Sequence, residues 1–213
     1  MPPDKHPYDV PIEDDPALPR VLLIGDSICW GYTLGVRELL AGKANVHRIP
    51  TNGAHTAFGL KQLDNWLGDG KWDVIHFNWG LHDIKHVKDG KLDLAGEVMT
   101  PPGQYRENLT KLVVALKATG AKLIWATTTP VPQGADGRIP GDAAKYNAIA
   151  LEIMQAHGVA VNDLHALVRP KLEEYQQPRN VHFAPAGSEA MAGQVAQHIL
   201  GALKGGASSA TAR

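Results

Sequence analysis

The sequence predicts a single α/β domain in which a parallel five-stranded sheet lies between two layers of helices. Two observations carry this prediction: five short apolar segments have the composition of strands, and the stretches between them place apolar residues at helical spacing. Parallel strands need crossover connections, so this alternation predicts a three-layer α/β/α sandwich. With 213 residues, 44% of them hydrophobic, the chain is long enough for one well-buried core.

The predicted strands are short, and several are apolar throughout, as expected when helices cover both faces of a sheet. They are 21–24 (VLLI), 45–49 (NVHRI), 73–79 (DVIHFNW), 122–127 (KLIWAT) and 159–163 (VAVND).

Three of the connecting segments have clear helical patterns. The segments 104–120 and 142–158 carry apolar residues on one face and end in Gly120 and Gly158, which are suited to C-caps. The segment 185–203 begins with proline, which is favoured at the first position of a helix.

The two ends of the chain have a different composition from the middle. Residues 1–19 are rich in proline and charge, which predicts an extended arm lying on the surface. Residues 205–213 are small and polar, which predicts a disordered tail. The folded domain is therefore expected to cover 20–204.

The charge balance excludes several kinds of partner. Lys and Arg total 21 and Asp and Glu total 22, a net charge of -1, so no footprint for nucleic acid is present. No apolar run approaches the roughly 18 residues of a membrane span. A small-molecule or glycan ligand, neutral or weakly charged, is the expected partner, and the oligomeric state is left open.

The first residues lack the apolar core of a signal peptide. Two alternatives follow: a cytoplasmic protein, or an exported (periplasmic or secreted) one whose leader has been replaced by Met1. The single cysteine, Cys29, excludes an internal disulfide and does not decide between these compartments.

The stretch VLLIGDSICWG, at 21–31, is the first candidate for chemistry. Ser27 follows a predicted strand directly and precedes a helix, which is where an α/β sheet presents a nucleophile. Gly-Asp-Ser is also ordinary turn chemistry, so a purely structural turn is the alternative. Cys29, two residues further on, is a rival nucleophile.

Polar residues follow the other strands as well. In an open α/β sheet, ligands bind outside the carboxyl ends of the strands, so these residues are expected to converge. A serine needs a proton acceptor, usually histidine, and its oxyanion needs fixed N–H donors. Ser27, Gly53, His82 and His182 supply these groups in order along the chain.

These motifs together resemble those of the SGNH hydrolases, also called GDSL-type esterases. The resemblance lies in Gly25-Asp26-Ser27-Ile28, Asn52-Gly53, Gly80-Leu81-His82-Asp83 and Arg179-Asn180-Val181-His182, followed by a Phe-x-Pro-x-Gly run at 183–187. It spans residues 20 to 203. It implies a flavodoxin-like sandwich and hydrolysis of esters, often short acyl groups on carbohydrates, with no cofactor or metal.

The resemblance also implies roles for individual residues. Ser27 is the nucleophile and His182 the base. The oxyanion hole is formed by Ser27, Gly53 and His82. Further residues expected to line the site are Asp26, Asn52, Asp83, Thr128, Arg179 and Asn180.

Two positions depart from the family pattern. His82 replaces an asparagine, and an imidazole N–H can still donate to an oxyanion. Arg179 replaces the acid that orients the histidine, a change that lowers turnover by up to about 10⁴ in a serine protease. Asn180 or a backbone carbonyl is the alternative orienting group.

Several alternatives stay open at this level. His82, Asp83 and His86 are spaced as metal ligands could be. Asp163 is a remote acid or a helix N-cap. Arg138 is expected to be solvated in a Gly- and Pro-containing loop, with contact to the substrate as the alternative. The expected activity is a short-chain, O-acetyl esterase on carbohydrates; the alternatives are a thioesterase or lysophospholipase, or a carbohydrate-binding pseudoenzyme.

Overall fold

A computed structural model describes residues 6–205 and contains two sheets. The strands are β1 (Arg20–Ile24), β2 (Asn45–Arg48), β3 (Val74–Phe77), β4 (His86–Lys88), β5 (Lys91–Leu92), β6 (Glu97–Val98), β7 (Lys122–Ala126) and β8 (Ala160–Asn162). The central sheet is parallel, with the order β2-β1-β3-β7-β8, and the small sheet is antiparallel, with the order β5-β4-β6.

Seven α-helices connect and flank the strands within the described residues. They are α1 (Ser27–Leu39), α2 (Thr56–Leu67), α3 (Pro102–Ala118), α4 (Asp142–His157), α5 (Leu164–Val168), α6 (Leu172–Tyr175) and α7 (Pro185–Lys204). Helices α1 and α7 pack together, and α2, α3 and α4 form a second row, so the predicted three-layer sandwich is confirmed.

The central sheet is buried on both faces. Strands β1 and β3 are apolar along almost their whole length, and Leu23, Ile24 and Phe77 are inaccessible to solvent. A sheet covered by helices on both sides requires this composition, which is why all five strands could be predicted from apolar runs.

Helices α1 and α7 approach each other closely. A Cβ on Gly31 would lie 3.0 Å from the Ser188 hydroxyl, and one on Gly35 would lie 2.8 Å from the Ala192 Cβ. Small residues on both helices therefore set this close packing.

The N-terminal residues 6–19 lie against the start of the domain. The Tyr8 ring stacks on Trp30 with 5.4 Å between centroids, and Asp14 pairs with Arg20 at 2.7 Å and with His47 at 2.6 Å. The arm predicted from composition thus has polar and aromatic contacts to β1, α1 and β2. Residues 1–5 and 206–213, which include most of the predicted tail, lie outside the described residues.

The antiparallel sheet β4-β5-β6 is an insertion between β3 and α3. Its backbone joins the loop at 132–141, because the His86 amide donates to the Gly137 carbonyl at 2.7 Å. A Cβ on Gly137 would lie 2.9 Å from the Leu92 Cβ, so the loop and the insertion pack tightly. Within residues 6–205, none of the helices is long and apolar enough to cross a membrane.

Candidate active site

Ser27 is the first residue of α1, directly beyond the carboxyl end of β1. The Asp26 carboxylate caps the helix by accepting a hydrogen bond from the Ile28 amide at 2.9 Å. A Cβ on Gly25 would lie 2.7 Å from the Cys29 Cβ, so only glycine fits before the cap. The Gly-Asp-Ser run is therefore a helix start that presents the Ser27 hydroxyl at the edge of the sheet.

His182 lies beside Ser27, although 155 residues separate them in sequence. Its Nε2 is 2.8 Å from the Ser27 Oγ, and its Nδ1 is 2.7 Å from the Asn180 Oδ1. The His182 backbone amide also donates to the Asn180 Oδ1, at 3.1 Å. An amide N–H only donates, so the Asn180 atom facing it must be the oxygen. Nδ1 therefore carries the imidazole proton, and Nε2 is free to accept one from Ser27.

The loop that carries His182 is tied to the domain on both sides. The buried Gln176 side chain donates to the carbonyls of Pro130 (2.9 Å) and Val181 (3.1 Å), and the Ala184 amide donates to the Tyr175 carbonyl at 2.8 Å. These bonds hold the histidine in place just before α7.

Arg179, at the position of the family's acid, takes no part in orienting the histidine. Its backbone is left-handed, with φ of +57°, and its side chain lies along the loop at Gly134, where a Cβ would be 3.0 Å from the Arg179 Nε. Asn180, one residue later, contacts the ring instead. The sequence left two orienting groups open, Asn180 and a backbone carbonyl. In the structure, it is Asn180 that accepts the hydrogen bond from the ring.

His82 has a free ring at the cavity wall. It forms no hydrogen bond with any other described residue, and burial lowers the pKa of its imidazole to about 4, with the nearby Asp26 charge opposing that shift. A neutral imidazole keeps one N–H, which is the group an oxyanion needs. The Ser27 amide likewise has no acceptor within residues 6–205.

The Gly53 amide, predicted to be an oxyanion donor, is already occupied. It donates to the Gly25 carbonyl at 2.9 Å, and a Cβ on Gly53 would lie 2.8 Å from that oxygen. The glycine is therefore required by the close approach of two loops, and its N–H does not face the cavity in this structure. The neighbouring Asn52 accepts from the Ala54 amide at 2.8 Å and stabilises the same turn.

A cavity of about 310 Å³ opens above Ser27. Seven residues predicted to belong to the site line it: Asp26, Ser27, Asn52, His82, Arg179, Asn180 and His182. Leu92 of β5 and Arg138 line it too. Leu92 was not predicted to belong to the site, and contact of Arg138 with the substrate was only an alternative.

Asp83 and Thr128 were expected to line the site and do not. Asp83 is fully buried and accepts from the Thr56 amide (2.9 Å) and hydroxyl (2.6 Å) at the start of α2; burial raises its pKa to about 6. Thr128 is enclosed between Trp79 and Asn147. Both residues support the strand ends behind the cavity.

Arg138, expected to be solvated, is buried. Only 9% of it is exposed; its Nε donates to the Leu81 carbonyl at 2.8 Å, and its Nη1 donates to the Asp136 carbonyl at 3.4 Å. The loop at 132–141 folds back against the β4-β6 insertion, which brings this guanidinium to the cavity. Sequence alone could not show that, because the two segments are far apart in the chain.

The remaining alternatives are resolved by position. Burial raises the pKa of the Cys29 thiol to about 11, so it is a poor nucleophile. Asp163 is the N-cap of α5 and accepts from the Ala166 amide. The His86 ring faces the Gly96 carbonyl and Asp83 faces Thr56, so they do not form a ligand set with His82, and no metal-binding cluster occurs among the described residues.

A hydroxyl hydrogen-bonded to an oriented imidazole, at the carboxyl edge of a parallel sheet, is the arrangement of serine hydrolases. The chain belongs to the GDSL-like lipase/acylhydrolase family, whose model matches residues 23–190. It is therefore a member of a family of carboxylic ester hydrolases, and its substrate is an ester. No protein among the curated proteins matches the chain.

Several solved structures are similar in fold. The acetyl xylan esterase AlAXEase has a TM-score of 0.70 at 17% identity over 84% of this chain and 99% of that one. A lipase/acylhydrolase from Enterococcus faecalis has a TM-score of 0.69 at 23% identity over 86% and 96%. A variant of Axe2, an acetyl-xylooligosaccharide esterase from Geobacillus, has a TM-score of 0.70 at 18% identity over 85% and 94%. At these identities the likeness shows the fold.

Proposed function

We propose that this protein hydrolyses short-chain esters, in particular O-acetyl groups on carbohydrates, with Ser27 as nucleophile and His182 as general base. The observation that carries the proposal is the chain of hydrogen bonds from the Ser27 Oγ through His182 to Asn180, with distances of 2.8 and 2.7 Å. The polar side chains around the cavity support a sugar ester, and two structural neighbours are acetyl esterases of xylan or its oligosaccharides.

In the first half of the reaction, the Ser27 oxygen attacks the ester carbonyl carbon while the His182 Nε2 takes the hydroxyl proton. The carbonyl oxygen becomes an oxyanion that accepts from the Ser27 amide and from the His82 N–H. The bond to the alcohol then breaks, the alcohol oxygen receives the proton from Nε2, and an acyl group remains on Ser27.

In the second half, a water molecule attacks the acyl carbon and gives a proton to the His182 Nε2. The bond between the acyl carbon and the Ser27 oxygen breaks, and the serine recovers the proton. Throughout both halves the Nδ1 proton stays on the bond to Asn180, which holds the ring in one tautomer.

The central test is Ser27→Ala, assayed on acetylated xylo-oligosaccharides and on nitrophenyl esters of increasing chain length. We expect turnover to fall at least about 10³-fold, with the thermal midpoint unchanged, because the lost hydroxyl makes no structural contact beyond His182. Cys29→Ala is the matched control and should keep its turnover. If Ser27→Ala keeps a tenth of the activity, the assignment is wrong.

The two alternative functions predict different results in the ester assay and in a labelling experiment. A thioesterase or lysophospholipase would prefer the long nitrophenyl esters over the acetyl esters. A binding protein without activity would leave the Ser27 hydroxyl unlabelled by a fluorophosphonate probe, which reacts only with an activated serine.

The oxyanion role of His82 is tested separately. His82→Ala should lower kcat by about 10² to 10³ with little change in KM, as the loss of one oxyanion donor does in subtilisin. His82→Asn, which restores an N–H donor, should keep more of the turnover. Equal damage from both substitutions would indicate a structural role for His82.

A further inference from the structure

The buried guanidinium of Arg138 has unused hydrogen-bonding capacity at the cavity. Two backbone carbonyls occupy Nε and Nη1, while Nη2 forms no hydrogen bond and no carboxylate lies within 4 Å, counting residues 6–205. Burial without a directly bonded carboxylate is unfavourable for a guanidinium, and it lowers the pKa of Arg138. The donors that remain are suited to an anion entering the cavity, because a guanidinium can bind a carboxylate through two parallel N–H groups.

A second guanidinium lines the same cavity. Arg179 forms no ion pair or side-chain hydrogen bond with the residues that the structure describes, and its side chain lies along the loop that carries Arg138. Its backbone is left-handed, with φ of +57°, a conformation that is unfavourable by about 1–2 kcal/mol for a residue other than glycine. Such strain is concentrated at binding sites.

Two carboxylates oppose the burial of Arg138 without forming an ion pair with it. Burial lowers the pKa of its guanidinium, and the charges of Asp26, which caps α1, and of Asp136, which is exposed at the rim, act in the opposite direction. Lys85 adds a third cation nearby: burial, and then the charge of Arg138, lower the pKa of its amine. His82 is neutral above its pKa of about 4. Lys85 is not among the residues that line the cavity, so its cationic lining consists of the guanidinium groups of Arg138 and Arg179.

We propose that Arg138 and Arg179 form a subsite for a carboxylate on the substrate, so that the preferred ester is an acetylated acidic sugar such as an O-acetylated uronic acid. This inference rests on the proposed ester hydrolysis at Ser27 and adds the charge of the substrate. The carboxylate lies away from the reacting carbonyl and is bound equally in the ground and transition states. It therefore lowers KM more than it raises kcat.

The experiment compares O-acetylated methyl glucuronide with the corresponding O-acetylated glucuronamide, in which an uncharged amide of similar shape replaces the carboxylate, and follows the release of acetate. The measured quantity is the ratio of kcat/KM for the charged over the neutral substrate. We expect a ratio of about ten or more at low ionic strength, falling as salt screens the charges. Arg179→Gln should lower the ratio about tenfold, and Arg179→Lys should retain part of it.

Two further variants sharpen the test. Asp136→Asn removes an opposing charge from the rim and should raise the ratio. Arg169→Gln removes an exposed arginine outside the cavity and should leave the ratio unchanged. A second substrate pair, nitrophenyl hemisuccinate and nitrophenyl acetate, carries the carboxylate on the acyl side. The same ratio of kcat/KM for the charged over the neutral substrate is measured for this pair. A preference found only in this second pair overturns the assignment to an acidic sugar.

The subsite and the activity can fail independently. A wild-type ratio near one that Arg179→Gln does not change overturns the subsite while ester hydrolysis stands. If no ester is hydrolysed, the proposed function is wrong, and calorimetric titration of Ser27→Ala with O-acetylated methyl glucuronide tests the subsite by itself. Binding that is lost when Arg179→Gln is added to Ser27→Ala supports the subsite, and absence of binding overturns it.

Discussion

Asn180 gives His182, the proposed general base, a neutral partner instead of a charged one. A carboxylate beside an imidazole both fixes the tautomer and stabilises the imidazolium that forms when the serine is deprotonated. The Asn180 oxygen, held by the His182 amide and by Nδ1, provides only the first of these effects. The ring is correctly oriented, but the developing positive charge gains less stabilisation.

Substitution of Asn180 separates orientation from charge. Asn180→Ala should lower kcat at least about tenfold, because the imidazole then loses the acceptor that fixes its proton on Nδ1. Asn180→Asp keeps an acceptor and adds a negative charge, so its kcat should equal or exceed that of the wild type. The measurement is kcat on a neutral acetyl ester.

The control for these variants is Asn65→Ala, an exposed asparagine on α2, which should not affect kcat. If Asn180→Ala and Asn65→Ala behave alike, another group orients His182.

The meeting of Ser27 and His182 could be predicted from sequence because each residue lies in a short local motif. Ser27 follows an apolar strand, and His182 precedes the last helix in a recognisable run. Arg138 could not be predicted, because its burial depends on a loop meeting an insertion some 45 residues earlier in the chain. The bond from the Gly53 amide to the Gly25 carbonyl could not be predicted for a similar reason, since it forms only when two loops meet.

At the level of elements, the wall of the cavity is built by the loop at 132–141 and the β4-β6 insertion. Gly137 is the point of closest approach, since a Cβ there would lie 2.9 Å from the Leu92 Cβ and 3.0 Å from the His86 carbonyl oxygen. Any side chain at this glycine must separate the two segments and move the Arg138 that follows it.

A matched pair of glycines tests this wall. Gly137 and Gly141 both have positive φ, of 58° and 92°, but a Cβ on Gly141 would meet nothing within 4 Å. Gly137→Ala and Gly141→Ala should both lower the free energy of unfolding by about 1 kcal/mol or more, because alanine is strained at positive φ. Only Gly137→Ala should also change KM for an acetyl ester. Equal KM values in the two variants would show that the wall does not shape the cavity.

The elements that sequence did not predict lack regular patterns. The strands of the insertion are three residues or fewer and largely exposed, so neither alternation nor an apolar run marks them. Helix α2 has no side-chain N-cap and contains Gly59, which a helical pattern rarely includes. The structure explains that glycine, because a Cβ there would lie 2.8 Å from the Trp79 ring. The five buried strands, by contrast, could be predicted from their apolar composition.

At the scale of the whole molecule, a buried histidine links stability to pH. His76 of β3 is inaccessible to solvent, and its Nε2 lies 3.1 Å from the Asn162 side-chain nitrogen. Burial, with a smaller effect from His198, lowers the pKa of His76 to about 3. Below pH 6.5 the unfolded chain takes up a proton at this residue and the folded protein does not. Stability due to His76 is therefore present above pH 6.5 and is lost as the pH falls towards 3.

His76→Phe should reduce the loss of stability in acid. One proton bound only by the unfolded chain changes the free energy of unfolding by about 1.4 kcal/mol per pH unit, so the wild type should lose about 2 kcal/mol between pH 6.5 and 5 from this residue. The variant is expected to be less stable at pH 7, because Asn162 loses its acceptor, but to lose less between those two pH values. Urea unfolding at both pH values measures the difference, and identical losses in the two proteins would contradict this origin.

Ser27 begins the first helix of the domain and His182 directly precedes the last, and the two meet because α1 and α7 pack through small residues. A ribosome making this chain releases Ser27, the proposed nucleophile, long before His182, the proposed base. On the proposed mechanism, the nascent protein is inert towards esters until α7 has emerged and docked. The appearance of activity during refolding reports the arrival of the last element, and a contact of such long sequence separation places that event late and makes it slow.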